Sequence, residues 1–166
     1  MDIFAHALWT NLAYWKADTS TRLLATAFGV APDALSFGPE LVRSLVARQT
    51  RKWRKVDEST FDEINRTIPR WVFRMYDITH SIPIWSVIFL GWWWLTGALP
   101  LAYLPWLGHI LVDIPTHSKK FFPTPFLWPL SDYKIDGVSW GVRWFMIANY
   151  SSLAISYIVV VIANWR

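Results

Sequence analysis

Only four histidines occur in the 166 residues, His6, His80, His109 and His117, and each lies in or beside an apolar or proline-punctuated segment. In Gly108-His109-Ile110-Leu111-Val112-Asp113-Ile114-Pro115-Thr116-His117, three polar side chains recur at a four-residue spacing within apolar sequence. On a helix His109 and Asp113 share one face, a turn apart. His117 continues that face if the helix survives Pro115, or hangs beyond its end if it does not. An imidazole and a carboxylate among apolar neighbours are costly to bury without a partner, and a metal ion is the economical partner. Asp77-Ile78-Thr79-His80 supplies a second acid–imidazole pair. Nitrogen and oxygen donors of this kind are what zinc accepts where no thiolate is offered. The chain has no cysteine, which also removes disulfides and a cysteine nucleophile from consideration.

Each residue also has an ordinary reading. His6 serves as a hydrogen-bonded helix histidine, and Asp33, after Pro32, as a helix cap or turn residue. His80 caps a helix through its neighbours Thr79 and Ser81. His109 with Asp113 forms a structural buried pair. His117 is solvated ahead of Ser118-Lys119-Lys120.

The elements that must position these side chains are helical and membrane-directed. The chain is 54% hydrophobic and carries thirteen Trp. Indoles concentrate where one ring edge meets water and the rest meets hydrocarbon, so the count favours a bilayer interface. The length suits one domain. Residues 1–40 read as N-terminal helices, with a break and helix cap at Asp18-Thr19-Ser20-Thr21 and a second break at Ala31-Pro32-Asp33. No basic leader or cleavage pattern marks a secretory signal. Residues 41–76 form a basic segment. Within it Leu41, Leu45 and Val46 alternate at helical spacing with Arg43, Arg48, Arg51, Lys52, Arg54 and Lys55 over 41–56. This is the pattern of an amphipathic helix on an anionic membrane surface or, more plainly, of a solvated helix face. No nucleic-acid motif accompanies the charges, so no specific nucleic-acid partner is expected.

Between Asp77 and Asp113 there is no Asp, Glu, Lys or Arg. That gap suits two short passes joined by a turn near 98–105, and the whole of 77–117 reads as a helical hairpin carrying the His/Asp motifs. Residues 118–141 hold Phe121-Phe122-Pro123-Thr124-Pro125-Phe126-Leu127-Trp128-Pro129-Leu130-Ser131, a proline-stiffened aromatic loop, and Asp136-Gly137 signals a turn. Residues 142–166 contain the clearest transmembrane helix. The fold class is therefore all-α: an integral-membrane helical bundle with a short-pass hairpin, a C-terminal transmembrane helix and a basic amphipathic surface helix. Placing Arg/Lys-rich 41–74, Lys119-Lys120, Lys134 and Arg143 in the cytoplasm sets the orientation in a cytoplasmic membrane and puts both ends of the hairpin, with the polar site, on that side.

At this point the residues resemble a known group. His6, Pro32-Asp33, Thr79-His80-Ser81, Gly108-His109-x-x-x-Asp113 and Leu127-Trp128-Pro129-Leu130-Ser131 together resemble the YdjM-like family, small bacterial and archaeal integral-membrane proteins classed as metal-dependent hydrolases. The family is distantly similar to zinc-dependent phospholipase C. The resemblance implies His6, Asp33, His80, His109 and Asp113 as metal ligands, with His117 as a further candidate. Family members often carry His-Arg-Gly where this chain has Met75-Tyr76-Asp77. One implied ligand and one anion-binding arginine are thus absent.

The function expected from the sequence is hydrolysis of a phosphoester, of a lipid or lipid-linked substrate, by water activated on a divalent metal, most naturally zinc. Asp77 and His117 are the expected general base or orienting residues, and Arg74 or Lys119-Lys120 would receive the anionic head group. The alternative is a non-catalytic membrane protein whose His/Asp cluster is a structural polar network and whose basic helix binds anionic lipid or a partner. A third reading, ion or proton movement along the hairpin, has few helices to support it.

Overall fold

The computed structural model describes residues 1–47 and 65–164. Among these, seven α-helices and one 3-10 turn make up the regular structure, and there is no strand. The helices are α1 (Ile3–Ala13), α2 (Thr19–Ser36), α3 (Gly38–Val46), α4 (Arg70–Thr79), α5 (Ile82–Thr96), α6 (Leu104–Thr116) and α7 (Arg143–Ala163).

Local chemistry sets the boundaries. The Asp2 carboxylate accepts from the Phe4 and Ala5 amides at the start of α1, and Asp18 accepts from Thr21 at the start of α2. Each cap satisfies donors that the first helical turn leaves free. Ser81 caps α5 by accepting from the Ile84 amide. Gly97, with φ of 67°, ends α5 in the left-handed conformation that favours glycine. Pro32 departs from expectation, whereas Pro115 settles which of two expected outcomes holds. The break expected at Ala31-Pro32-Asp33 is absent, because α2 runs through Pro32 to Ser36. In α6 the helix passes Pro115 by one residue, so His117 becomes its C-cap with extended backbone (φ −121°, ψ 135°).

The C-terminal carbonyls of α6 are taken up by the segment that returns from the aromatic loop. The amides of Gly137, Val138 and Trp140 donate to the carbonyls of His117, Pro115 and Thr116, each at 2.9 Å. A Cβ at Gly137 would stand 2.3 Å from the Pro115 oxygen. Only glycine allows so close a passage.

Helix α2 is central and packs against α1, α4 and α6. One apolar cluster joins Trp85, Tyr103 and Ile110 with Phe28 and Trp106; a second joins Ile68 and Val72 with Phe37 and Phe122. Helix α7 lies against α1, where Met1, Ala5 and Leu153 are buried together. Trp9, Tyr150 and Tyr157 tie the two helices by hydrogen bonds to Asn149, Asp2 and the Leu8 carbonyl.

Among the described residues α7 alone is long and apolar enough to cross a bilayer. Its 21 residues extend about 31 Å, close to the thickness of the hydrocarbon layer. Its outer face is bare, with Ile162 67% exposed. The hairpin is present as α5 and α6, but with 15 and 13 residues these reach only about 20–22 Å, less than a full crossing. The outer face of α5 is also apolar and exposed, Trp94 to 85%. Of the expected basic amphipathic helix, α3 covers the first part. Its Leu41, Val42, Leu45 and Val46 point outward, while buried Glu40 pairs with Arg43 at 2.7 Å. Arg48, Arg51, Lys52, Arg54 and Lys55 lie outside the described residues.

Candidate metal centre

Three helices converge on one polar cluster. Asp33 comes from α2, His80 from the C-cap of α4, and His109 and Asp113 from successive turns of α6. One ligand atom from each lies within 4.8 Å of the others. His80, His109 and Asp113 are buried and Asp33 is partly so.

Backbone carbonyls orient both imidazoles. His80 Nδ1 lies 3.1 Å from the Tyr76 carbonyl, and His109 Nδ1 lies 2.8 Å from the Gly29 carbonyl. A carbonyl only accepts, so each ring carries a proton on Nδ1, and in its neutral form presents a bare Nε2. Those two Nε2 atoms face each other at 3.2 Å. Asp33 Oδ1 is 3.5 Å from His80 Nε2 and 3.8 Å from His109 Nε2. Asp113 Oδ2 is 3.1 Å from His109 Nε2 and 3.6 Å from His80 Nε2. These approaches lack hydrogen-bond geometry, and Asp113 Oδ2 is a buried oxygen without a hydrogen-bond partner. Lone pairs on four atoms therefore point at one spot. That arrangement is repulsive unless a proton or a cation sits among them. Two neutral imidazoles and two carboxylates match a divalent ion in charge and in donor type. The carbonyl-to-Nδ1 bonds are the usual outer partners of metal-binding imidazoles.

Asp113 has a second task. Its Oδ1 faces α1, accepting from the Met1 amino group and lying 2.9 Å from His6 Nε2. The Met1 amino group also donates to Thr116 Oγ1 at 3.1 Å. The His6 ring stacks on His109, centroids 3.6 Å apart. His6 is thus beside the cluster, bonded to one of its carboxylates. His117 Nδ1 lies 3.1 Å from the Asp113 carbonyl and 3.7 Å from its Oδ1. Burial holds the His117 imidazole down to about 4.

The structure thus brings His6, Asp33, His80, His109, Asp113 and His117 together. Asp77 stands apart. It is partly exposed, burial raises its carboxyl, and its other electrostatic neighbours are Lys134, Asp132 and, most weakly, His80. Sequence reasoning passed over Tyr76. Its ring covers His80, centroids 3.9 Å apart, and its hydroxyl donates to the Phe122 carbonyl at 2.9 Å. The four-residue spacing of Tyr76 and His80 was the available signal. The aromatic loop holds the same segment: Ile82 donates to the Phe126 carbonyl at 3.0 Å and Ser81 donates to that of Trp128.

Two cavities border the cluster. One of about 610 Å³ is bounded by α1, α6 and α7 and reaches His6 and His109. The other, of about 330 Å³, approaches from Asp33, His117 and Phe122. No family model, curated protein or solved structure matches the chain.

Proposed function

We propose that the chain is a membrane-bound, metal-dependent hydrolase acting on a phosphoester of a lipid or lipid-linked molecule. The observation that carries this reading is the pair of bare imidazole nitrogens facing each other beside an unpartnered buried carboxylate oxygen. Asp33, His80, His109 and Asp113 would hold the ion, zinc being the one that suits the donors. A divalent ion in this place supplies Lewis acidity, polarising a phosphoryl oxygen and making water a better acid. The Tyr76 and Gly29 carbonyls keep the two rings aimed, so no reorientation is needed when substrate arrives. His117 spends its Nδ1 proton on the Asp113 carbonyl and, held neutral by burial, offers Nε2 as an acceptor that orients the attacking water. Water adds its oxygen to phosphorus, the bond to the leaving oxygen breaks, and the water's proton passes to that oxygen.

Membrane residence draws support from the length of α7 and from the outward apolar faces of α3 and α5. His6, Asp33, His80, His109 and Asp113, which carry part of the resemblance to the YdjM-like family, converge, and this supports a relation to it. Tyr76 occupies the position where that family carries arginine, and the four ligands then serve a single ion.

A purification in detergent without chelators tests the reading. About one equivalent of bound metal and hydrolysis of phosphatidylglycerol in mixed micelles are expected, with both lost in His109→Ala. Protein without metal, unable to take up zinc or manganese, refutes it. A second reading is favoured by the contacts of Asp113 Oδ1 with the Met1 amino group and His6, which make the network partly self-sufficient. On that reading the same substitution lowers stability and leaves metal content unchanged.

A further inference from the structure

We infer that the cleft between α1, α6 and α7 is a slot for one apolar chain of the substrate, running from the bilayer side of α7 to the metal cluster. This rests on the hydrolase reading above and names its substrate class: an amphiphile with a long hydrocarbon chain and a phosphoester head.

Four observations converge. The cleft encloses about 610 Å³, a volume typical of sites that enclose small ligands. Its walls include Trp9, Ala13, Leu104, Val112 and Phe145, and among the described residues no Asp, Glu, Lys or Arg lines it. The Met1 amino group is the cation at its edge and is already engaged by Asp113 and Thr116, so a free nucleotide or sugar phosphate would find no spare cation along that wall; a hydrocarbon chain needs none. Its lining includes His109, one of the four proposed ligands, and His6, which is bonded to a second, Asp113, so a chain lying in it borders the cluster. Its outer wall belongs to α7, the helix long enough to span the bilayer.

Gly108 supplies the second kind of argument. It sits inside α6, where glycine weakens a helix relative to alanine, and neither a turn nor a close neighbour requires it. A Cβ built there meets nothing within 4 Å. The residue keeps space open next to His109 without serving the packing of the protein. Asn149 of α7 lines the same cleft. Its Oδ1 accepts from Trp9 Nε1 at 2.9 Å, whereas its Nδ2 is buried without a partner. That free donor suits an oxygen near the head of the bound chain.

The test uses the full chain in nanodiscs and two photoactivatable probes with a diazirine near the chain terminus, a monoacyl glycerophosphate ester and an isoprenoid phosphate ester. Cross-links mapped by mass spectrometry are expected on α1, α6 and the first half of α7 within the cleft, and the better-labelling probe identifies the kind of chain. Gly108→Leu and Gly108→Trp fill the space and are expected to reduce labelling there at least tenfold with metal content unchanged. Gly91→Trp on α5, also in open surroundings, is expected to change neither. Competition by unlabelled probes should weaken about fourfold for each methylene removed. Labelling confined to the outer faces of α5 and α7, unaffected by Gly108→Trp, overturns the slot. Cleft labelling in a protein that cannot bind metal keeps the slot and overturns the hydrolase; metal binding without cleft labelling does the reverse.

Discussion

Replacing Asp113 by asparagine keeps the size of the side chain and removes its charge, which isolates the electrostatic part of the cluster. In the native chain, an ion present at one hundred times its Kd stabilises the fold by about 2.7 kcal/mol. For a domain of this size, that raises Tm by about 5–11 °C. Asparagine loses one of four ligands and half of the negative charge that Asp33 and Asp113 supply. Disturbing only the outer partner of a ligand already weakens binding by about 10–100-fold, so loss of a ligand itself is set at 100-fold or more. At the same ion concentration the variant then sits at or below half-occupancy. Its stabilisation drops to about 0.4 kcal/mol, or about 1 °C. Intrinsic tryptophan fluorescence, followed during heating with and without zinc, reads both shifts in one experiment. Equal shifts in the two proteins would place the ion elsewhere, and no shift with any divalent ion would remove the metal centre altogether.

Acidification should release the ion, because His80 and His109 must both be unprotonated at Nε2 to bind it. Each Nε2 that takes up a proton excludes the ion, so affinity is expected to fall as the pH is lowered, by up to about 100-fold per pH unit once both rings protonate. Calorimetric titration in buffers of different ionisation enthalpy counts the protons released, and a count of zero at pH 5.5 contradicts the assignment of ligands. Gly137→Ala should destabilise strongly, since its Cβ would meet the Pro115 and His117 carbonyls at 2.3 and 2.8 Å. Lifting the segment away forfeits three hydrogen bonds, about 3 kcal/mol in all. Thermal melting shows this as a fall of about 6–12 °C, and a change within 1 °C would mean that the segment does not hold α6.

What could be read from the chain was local. The four-residue spacing of His109 and Asp113 put both on one face of a helix, and α6 presents them so. The same reasoning fails for Asp77 and His80. α4 ends at Thr79, and His80 leaves helical geometry (φ −103°, ψ 19°) and turns toward the cluster without Asp77. Pro32 reads as a break, yet tertiary contacts of α2 with three helices carry it through. The roles of Gly29 and Gly137 were not legible, because each depends on backbone from a distant part of the chain: the Gly29 carbonyl on His109, and the Gly137 amide on α6. Hydropathy alone also merged α5 and α6 into membrane passes, although neither has the length to be one by itself.

The attachment of α7 has a mechanical consequence. Its main neighbour is α1, to which Trp9–Asn149, Tyr150–Asp2 and Tyr157–Leu8 bind it, and α1 is moored to Asp113 by His6 and by Met1 just ahead of the helix. A load on α7 therefore travels along α1 into the carboxylate that faces both imidazoles. Two neutral hydrogen bonds, about 1 kcal/mol each, and one from Tyr150 to the Asp2 carboxylate, about 1.5–3 kcal/mol, form a narrow hinge beside the bundle. If α7 lies in a bilayer as proposed, swinging it on that hinge would widen the route to the polar cluster while the α2, α4 and α6 contacts stay intact, opening the cluster toward the lipid leaflet rather than toward water.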